Sequence, residues 1–296
     1  MHLVAVDWGT SSLRGALLDE TGEVLREQSH PRGILSIPPG GFADVFESLF
    51  AEWMRPEGTR CIISGMAGSQ QGWIEAPYCA CPAGLDEVAR SIIDIQPGRI
   101  ALLPGLRDEH SGVPDVMRGE EVQIFGAMAL TGLRDGLFVL PGTHNKWARA
   151  KGGRVEGFRT FMTGEFYALL SQHSILARTL DADAPLDEAA FLQGVTQTHN
   201  REGLLHNAFG ARTLALFNRM PKSQLSSYLS GLLIGEELRT QSLQTTSEVV
   251  LIGSAALTQR YALALGAAGV LTRTLGAEAT WAGLHALANT QGRRTS

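Results

Sequence analysis

One backbone pattern occurs twice at domain-scale spacing, and it constrains the fold more than any other feature. In the first copy, the apolar run Leu3–Val6 and the run Leu13–Leu18 read as strands. Trp8-Gly9-Thr10-Ser11-Ser12 joins them, and after a turn at Glu20-Thr21-Gly22 a third strand covers Glu23–Ser29. In the second copy, Leu137–Leu140 is followed by the turn Pro141-Gly142-Thr143-His144-Asn145-Lys146 and the strand Trp147–Lys151. Gly152-Gly153 then leads to a strand over Arg154–Phe161. Each copy is a meander rather than a βαβ unit. The distance between Gly9-Thr10 and Gly142-Thr143 is a domain length, not the period of a short repeat. Two α/β domains are therefore predicted, 1–131 and 132–296, joined near Gly132–Gly136. A chain of 296 residues is comfortable for two cores.

The chemistry of the first turn is unusual for a hairpin. Gly9 is expected for its freedom to take positive φ. Asp7 is not needed by the turn, and an unpaired charge at a buried strand end is costly. It points to a bound cation or a hydroxyl partner, the plainer alternative being a turn acid. The small residues Gly9, Thr10 and Ser11 leave backbone N–H groups free to face an anion.

Helices are expected over Phe42–Met54, with an apolar stripe through Phe42, Val45, Phe46, Leu49, Phe50 and Trp53, and over Leu85–Ile93. Short strands are expected at Arg60–Ser64 and Ile100–Leu103. A glycine–acid pair, Gly119-Glu120-Glu121, opens a further helix. The second half carries helices near Glu165–Leu180, Asp187–Gln197 and Gln224–Gln241. A strand over Val249–Ile252 then runs into Gly253-Ser254-Ala255-Ala256, with a helix from Leu257.

Composition narrows the class. With 44% hydrophobic and 19% charged residues, the chain reads as globular. A net charge of −5 without Lys/Arg runs gives nucleic acid no foothold. No signal peptide and no apolar run of about 18 residues are expected, so neither secretion nor membrane insertion is. Three cysteines, Cys61, Cys79 and Cys81, form no disulfide framework and no metal spacing, which fits a reducing, cytoplasmic setting. A homodimer is the base-rate expectation for assembly.

Two glycine-threonine meanders followed by a late strand–glycine–helix resemble the actin/hexokinase/Hsp70 superfamily. The resemblance implies two RNase H-like domains facing each other across a nucleotide-binding cleft. Asp7-Trp8-Gly9-Thr10-Ser11 then corresponds to the first phosphate turn, with Asp7 holding Mg²⁺ through water. Gly142, Thr143, His144, Asn145 and Lys146 correspond to the second phosphate turn, Lys146 being either a phosphate ligand or a solvated turn lysine. Gly253, Ser254 and Ala255 correspond to the adenosine turn. ATP and Mg²⁺ are the cofactors this implies.

Longer strings narrow the resemblance. Pro114–Gln123, Leu140–Trp147, Ser64–Trp73 and Phe158–Glu165 are similar to the 2-dehydro-3-deoxygalactonokinase family. That family implies ATP-dependent phosphorylation of the 6-hydroxyl of 2-dehydro-3-deoxygalactonate, a step of galactonate breakdown. Carbohydrate kinases of the glycerol and xylulose kind place an aspartate after glycine at a helix start, where this chain has Glu120. Glu120 is thus the first candidate for the base and Glu121 the reserve, although a helix N-terminus favours acids in any case. Candidate sugar-acid contacts are Arg14, Arg118, Arg159, Gly65, Met66, Gly68, Gln70, Gln71 and Trp73. An arginine fork suits a carboxylate, while Trp73 is either a stacking face or core. Two other readings are an exopolyphosphatase-like hydrolase of this fold, for which the chain is acidic, and a nucleotide-gated sensor, for which it is short.

Overall fold

The computed structural model describes residues 2–200, 202–243 and 248–295, without the side chains of 292–295. The chain forms two compact units. Unit 1 takes the residues up to Gly136, Ala148–Arg159 and the stretch from Leu275 onward; unit 2 takes Leu137–Trp147 and Thr160–Thr274.

The elements in chain order are β1 (Leu3–Trp8), β2 (Leu13–Leu18), β3 (Val24–His30), α1 (Phe42–Phe50), β4 (Arg60–Gly65), β5 (Tyr78–Ala80), α2 (Leu85–Arg90), β6 (Ile93–Gln96), β7 (Ile100–Leu102), β8 (Gly105–Asp108), β9 (Asp115–Met117) and α3 (Glu120–Thr131). There follow β10 (Gly136–Leu140), β11 (Asn145–Lys151), β12 (Arg154–Phe161), α4 (Thr163–His173), α5 (Glu188–Gln197), α6 (Gly203–Leu216), α7 (Lys222–Arg239), β13 (Glu248–Ile252), α8 (Ala255–Ala267), β14 (Leu271–Leu275) and α9 (Glu278–Thr295).

The repeated pattern of the sequence is a repeated topology. The first sheet runs β3-β2-β1-β4-β7-β6 and the second β12-β11-β10-β13-β14. In each, a meander is extended by a parallel strand, β4 beside β1 and β13 beside β10. β1 is buried at every position but Asp7. Such a near-continuous apolar run belongs to a strand covered on both faces.

Unit 1 packs Trp8, Phe42, Phe46 and Phe50 with Ile63 and Leu102 into one core. Trp73 joins it, its ring 6.1 Å from that of Trp8 and 5.7 Å from that of Phe46. This is the core alternative weighed for Trp73. Gly126 on α3 and Gly283 on α9 let these helices cross at backbone contact. A Cβ on Gly126 would lie 1.7 Å from the Ala279 carbonyl oxygen, and one on Gly283 would lie 1.9 Å from that of Val122. A mid-helix glycine costs about 1 kcal/mol relative to alanine. Here the close crossing offsets that cost and fixes the direction of α3, which carries the glutamate pair. In unit 2, Gly194 and Gly231 allow the same approach of α5 to α7.

The structure departs from the sequence reading in several places, among them the ends of the helices expected over Phe42–Met54 and Glu165–Leu180, which stop at Phe50 and His173. The helix expected over Leu85–Ile93 ends at Arg90, and Ile93 opens β6. A third sheet, β5-β8-β9, had no signal in the sequence, because its strands are three or four residues long and show no usable alternation. Asn145 and Lys146, expected in a turn, lie on β11 and are buried.

Candidate active site

The first turn is built from behind. Gly9 N–H donates to the Ser12 carbonyl at 2.8 Å, while the Gly9 and Thr10 carbonyls accept from Ile34 and Leu35 N–H at 3.0 and 3.2 Å. Gly33 lies directly against the turn: a Cβ there would sit 2.2 Å from the Thr10 carbonyl oxygen and 2.3 Å from the Ser11 nitrogen. The carbonyls are thereby spent on Ile34 and Leu35, and Thr10 and Ser11 stay exposed. The reason expected for Gly9 does not hold, since its φ is not positive and its Cβ would make only an ordinary contact with Ser12.

Asp7, next to last in β1, has a partly accessible carboxylate. Its register partners are Arg14 on β2 and Ser64 on β4. Arg14 Nη2 donates to Asp7 Oδ2 at 2.5 Å, and its guanidinium lies 5.9 Å from the centre of the Trp281 ring. The partly buried Asp7 is thus partnered, and Arg14 is engaged with it. Ser64 is 1% exposed, and its hydroxyl has no hydrogen-bond partner among the described residues.

Two glycines with left-handed φ bring the acids to this place. Gly65 (φ +90°) could carry a Cβ only 2.8 Å from the Trp8 carbonyl and 3.2 Å from Asp7 Oδ1. Gly119 (φ +106°) stands over Gly65, with a Cβ position 3.4 Å from the Gly65 Cα. The start of α3 therefore rests on the end of β4, beside Asp7. Glu120 Oε2 accepts from Arg118 N–H at 2.9 Å and is partly exposed. Glu121 is 0% exposed, and both its oxygens accept from Gly119 N–H, at 3.0 and 2.8 Å. Burial, reinforced by the charge of Glu120, pushes the Glu121 carboxyl up to about 8. The two neighbours thus differ sharply: one reaches solvent, and the other is sealed against the turn that precedes it.

Arg118 is buried. It donates to the Ala76 carbonyl at 2.8 Å, lies 4.2 Å from the Tyr78 ring centre, and leaves no room for a Cβ on Gly68. Its place is to brace the loop after β4. Within that loop Gly65 and Gly68 are buried, Met66 packs against the core, and Gln70 and Gln71 are exposed. Arg159, on β12, is exposed.

In unit 2 the second turn rests on a buried polar network. Asn145 Oδ1 accepts from Gly142 N–H at 2.6 Å, so that N–H is already used within the turn. Asn145 Nδ2 donates to Glu237 at 2.8 Å and to the Tyr261 hydroxyl. Glu237 on α7, 3% exposed, also accepts from Trp147 Nε1, Thr163 Oγ1 and, at 2.7 Å, the Tyr261 hydroxyl. Burial pushes its carboxyl upward, while the donors favour the charged form. The indole and the amide NH₂ can only donate, so an acceptor-only carboxylate matches its partners.

Lys146 is 5% exposed and donates to Thr160 Oγ1 at 2.9 Å, which removes the solvated-lysine alternative. His144 and Thr143 are exposed, and His144 Nε2 lies 2.5 Å from Glu165 Oε2. The third turn adjoins the second. A Cβ on Gly253 would be 3.4 Å from the Pro141 carbonyl, and Ser254 and Ala255 are exposed at the start of α8. A cavity of about 60 Å³ lies beside them, lined in part by Gly142, Asn145, Leu257 and Arg260.

Sequence reasoning missed Gly33, Ser64, Glu237 and Tyr261. Glu237 follows Glu236 in the string Gly-Glu-Glu, and nothing in sequence separates the buried acid from its partly exposed neighbour. Gly33 matters only through a contact with Thr10 and Ser11, which no local pattern reports.

A meander with a glycine-threonine turn, extended by a parallel strand and present twice, is the architecture expected of a two-domain sugar kinase. In fold alone, the chain also matches an activator of 2-hydroxyisocaproyl-CoA dehydratase from Clostridium difficile with bound ADPNP, at a TM-score of 0.51 and 10% identity over 100% of this chain and 97% of that one. A family model described as 2-keto-3-deoxy-galactonokinase matches residues 7–287, and the chain belongs to that family. A Rhizobium meliloti protein described as a probable 2-dehydro-3-deoxygalactonokinase is 39% identical over 97% of this chain and 96% of its own. The 2-dehydro-3-deoxygalactonokinase of Escherichia coli is 33% identical over 97% of each chain. A crystal structure of a Sinorhizobium meliloti protein assigned the same activity superposes with a TM-score of 0.89 at 39% identity, over 97% of this chain and 98% of that one. The chain is therefore a phosphotransferase of the sugar-acid kinase kind. Among the described residues no helix is long and apolar enough to cross a membrane.

Proposed function

We propose that this chain transfers the γ-phosphoryl group of ATP to the 6-hydroxyl of 2-dehydro-3-deoxygalactonate, with Glu120 accepting the hydroxyl proton. The observation that carries the reading is the seating of Gly119 on Gly65 beside Asp7, which delivers the accessible Glu120 carboxylate to the end of β1. Related names support the substrate, since both curated relatives are 2-dehydro-3-deoxygalactonokinases.

The residues around Asp7 suit Mg²⁺. Asp7 offers a partly exposed carboxylate, and no group of three or more potential ligand side chains occurs among the described residues. Mg²⁺ keeps several waters and takes phosphate oxygens, so a single protein carboxylate is a sufficient anchor. Bound there, the ion would neutralise charge on the transferring phosphoryl group. Arg14 would hold the Asp7 carboxylate in place. In this reading residues 1–131 contribute the first phosphate turn (Gly9, Thr10, Ser11) and the sugar-acid contacts. Residues 132–296 contribute the second turn, Lys146 and the adenosine turn Gly253–Ala255.

Glu121 serves Glu120 rather than replacing it. Sealed from solvent, it holds Gly119 N–H and thereby the entry to α3. A base must come within hydrogen-bond reach of the proton it takes, and only Glu120 has an accessible carboxylate. The free thiols Cys61, Cys79 and Cys81, with burial pushing the Cys61 thiol up, fit a reducing cytoplasm.

The test is direct. Purified protein, ATP and Mg²⁺ are incubated with the galactonate-derived 2-keto-3-deoxy acid, with its gluconate-derived epimer, and with no acceptor. The expected result is ADP and a 6-phosphate with the first acid, and no comparable ATP hydrolysis without acceptor. Hydrolysis that ignores the sugar acid would overturn the proposal in favour of a phosphohydrolase.

A further inference from the structure

Large apolar side chains stand in solvent on one stretch of unit 2. Between α4 and α6 runs a groove of about 200 Å³ whose floor includes Leu176. Its walls are Phe166, Ile175, Leu205 and Phe209, exposed by 41, 44, 90 and 54%, and Leu169 on α4 is exposed by 46%. Among the described residues no charged side chain lines the groove. Across α4 and α6 the only carboxylate is Glu165 and the only guanidinium Arg212. Monomers rarely keep a contiguous apolar patch beyond a few hundred Å². If a large apolar residue presents roughly 200 Å² when free, these five residues leave about 550 Å² exposed.

We propose that this face is the contact between two copies of this chain, paired about a two-fold axis through α4 and α6. Three features favour a second copy over any other occupant. First, the exposed apolar area matches the apolar part of one side of a standard interface, which buries about 800 Å² per partner and is roughly 65% apolar in homodimers. Second, the near absence of charge leaves nothing for a charged partner to recognise, whereas apolar faces complement themselves. Third, the face carries both halves of a self-complementary contact: Leu205, 90% exposed, stands at the rim of the groove it helps to line. In an isologous pair Leu205 of each copy meets the groove of the other.

The test is the mass in solution. Light scattering coupled to size exclusion, run on the full chain from about 1 to 100 μM, should give twice the 31.8 kDa of one chain. Leu205→Asp should shift the protein to the monomer mass, and Phe209→Asp should do the same. The groove variant Leu176→Ala enlarges the pocket and should weaken the dimer at least tenfold. Leu205 is so exposed that its substitution leaves the fold intact, which circular dichroism and an unchanged Tm verify. A wild-type protein that is monomeric at 100 μM would overturn the inference. So would a dimer that survives both aspartate variants, since the contact would then lie elsewhere.

Discussion

Glu121→Gln isolates the sealed carboxyl without changing its shape. Glu121 has no exposed surface, and its carboxyl is pushed up to about 8. In the unfolded chain it returns to an ordinary glutamate value near 4.3. Between these values the folded state holds a proton that the unfolded state has released, so the stability from this group is complete below about pH 4 and is lost as pH rises toward 8. The slope is about 1.4 kcal/mol per pH unit, and the whole effect has a ceiling of about 5 kcal/mol, reduced by any local relaxation. Glutamine cannot ionise, yet its Oε1 still accepts from Gly119 N–H. Urea unfolding of wild type and variant at each unit from pH 5 to 9, with equal m-values, cancels every other titrating group in the difference. The variant should gain on the wild type steadily up to about pH 8 and then level off. A difference that does not change with pH would refute the sealed, proton-holding Glu121.

Three further outcomes follow from the two turns. Asp7→Asn keeps a partner for Arg14 but removes the anchor charge, so kcat should fall by at least about 100-fold and the optimum Mg²⁺ concentration should rise, read from Mg²⁺ titrations of initial rate. Gly33→Ala places a methyl group within the backbone of Thr10 and Ser11; it should cost about 1–3 kcal/mol in urea unfolding and raise KM for ATP more than KM for the sugar acid. Glu237→Gln puts an amide where Trp147, Tyr261, Thr163 and Asn145 all supply hydrogen-bond donors, leaving at least one donor unmet at about 1–3 kcal/mol; KM for ATP should rise about tenfold while that for the sugar acid stays within about twofold.

The parts legible in the sequence were those carried by local pattern. Alternating and continuous apolar runs announced the strands of both meanders, and their recurrence announced the duplicated sheet topology. Glycine next to acid announced the start of α3. What sequence did not carry was contact across distance. The meeting of Gly119 with Gly65, and of Gly33 with Ser11, joins residues far apart in the chain. The contrast between Glu120 and Glu121 comes from a helix turning by about 100° per residue against a core that only the fold defines. Arg118 shows the same limit. As a sequence residue it is a free guanidinium beside a motif, whereas in the fold it is folded under Tyr78 and tied to Ala76. Lys146 moved from turn to buried strand because the strand begins two residues earlier than its apolar run.

The most direct measurement is the steady-state kinetics of Glu120→Gln beside those of Glu121→Gln, with saturating ATP and Mg²⁺ and a titration of the sugar acid. Glutamine at position 120 keeps its length and can still hydrogen-bond the attacking hydroxyl, but it cannot accept the proton. Loss of a general base costs about 10²–10⁴ in rate. For Glu120→Gln kcat should fall by that factor with KM nearly unchanged, and for Glu121→Gln kcat should stay within about tenfold of wild type. Near-wild-type turnover in Glu120→Gln, or a ranking in which Glu121→Gln is the more damaged, would contradict Glu120 as the base.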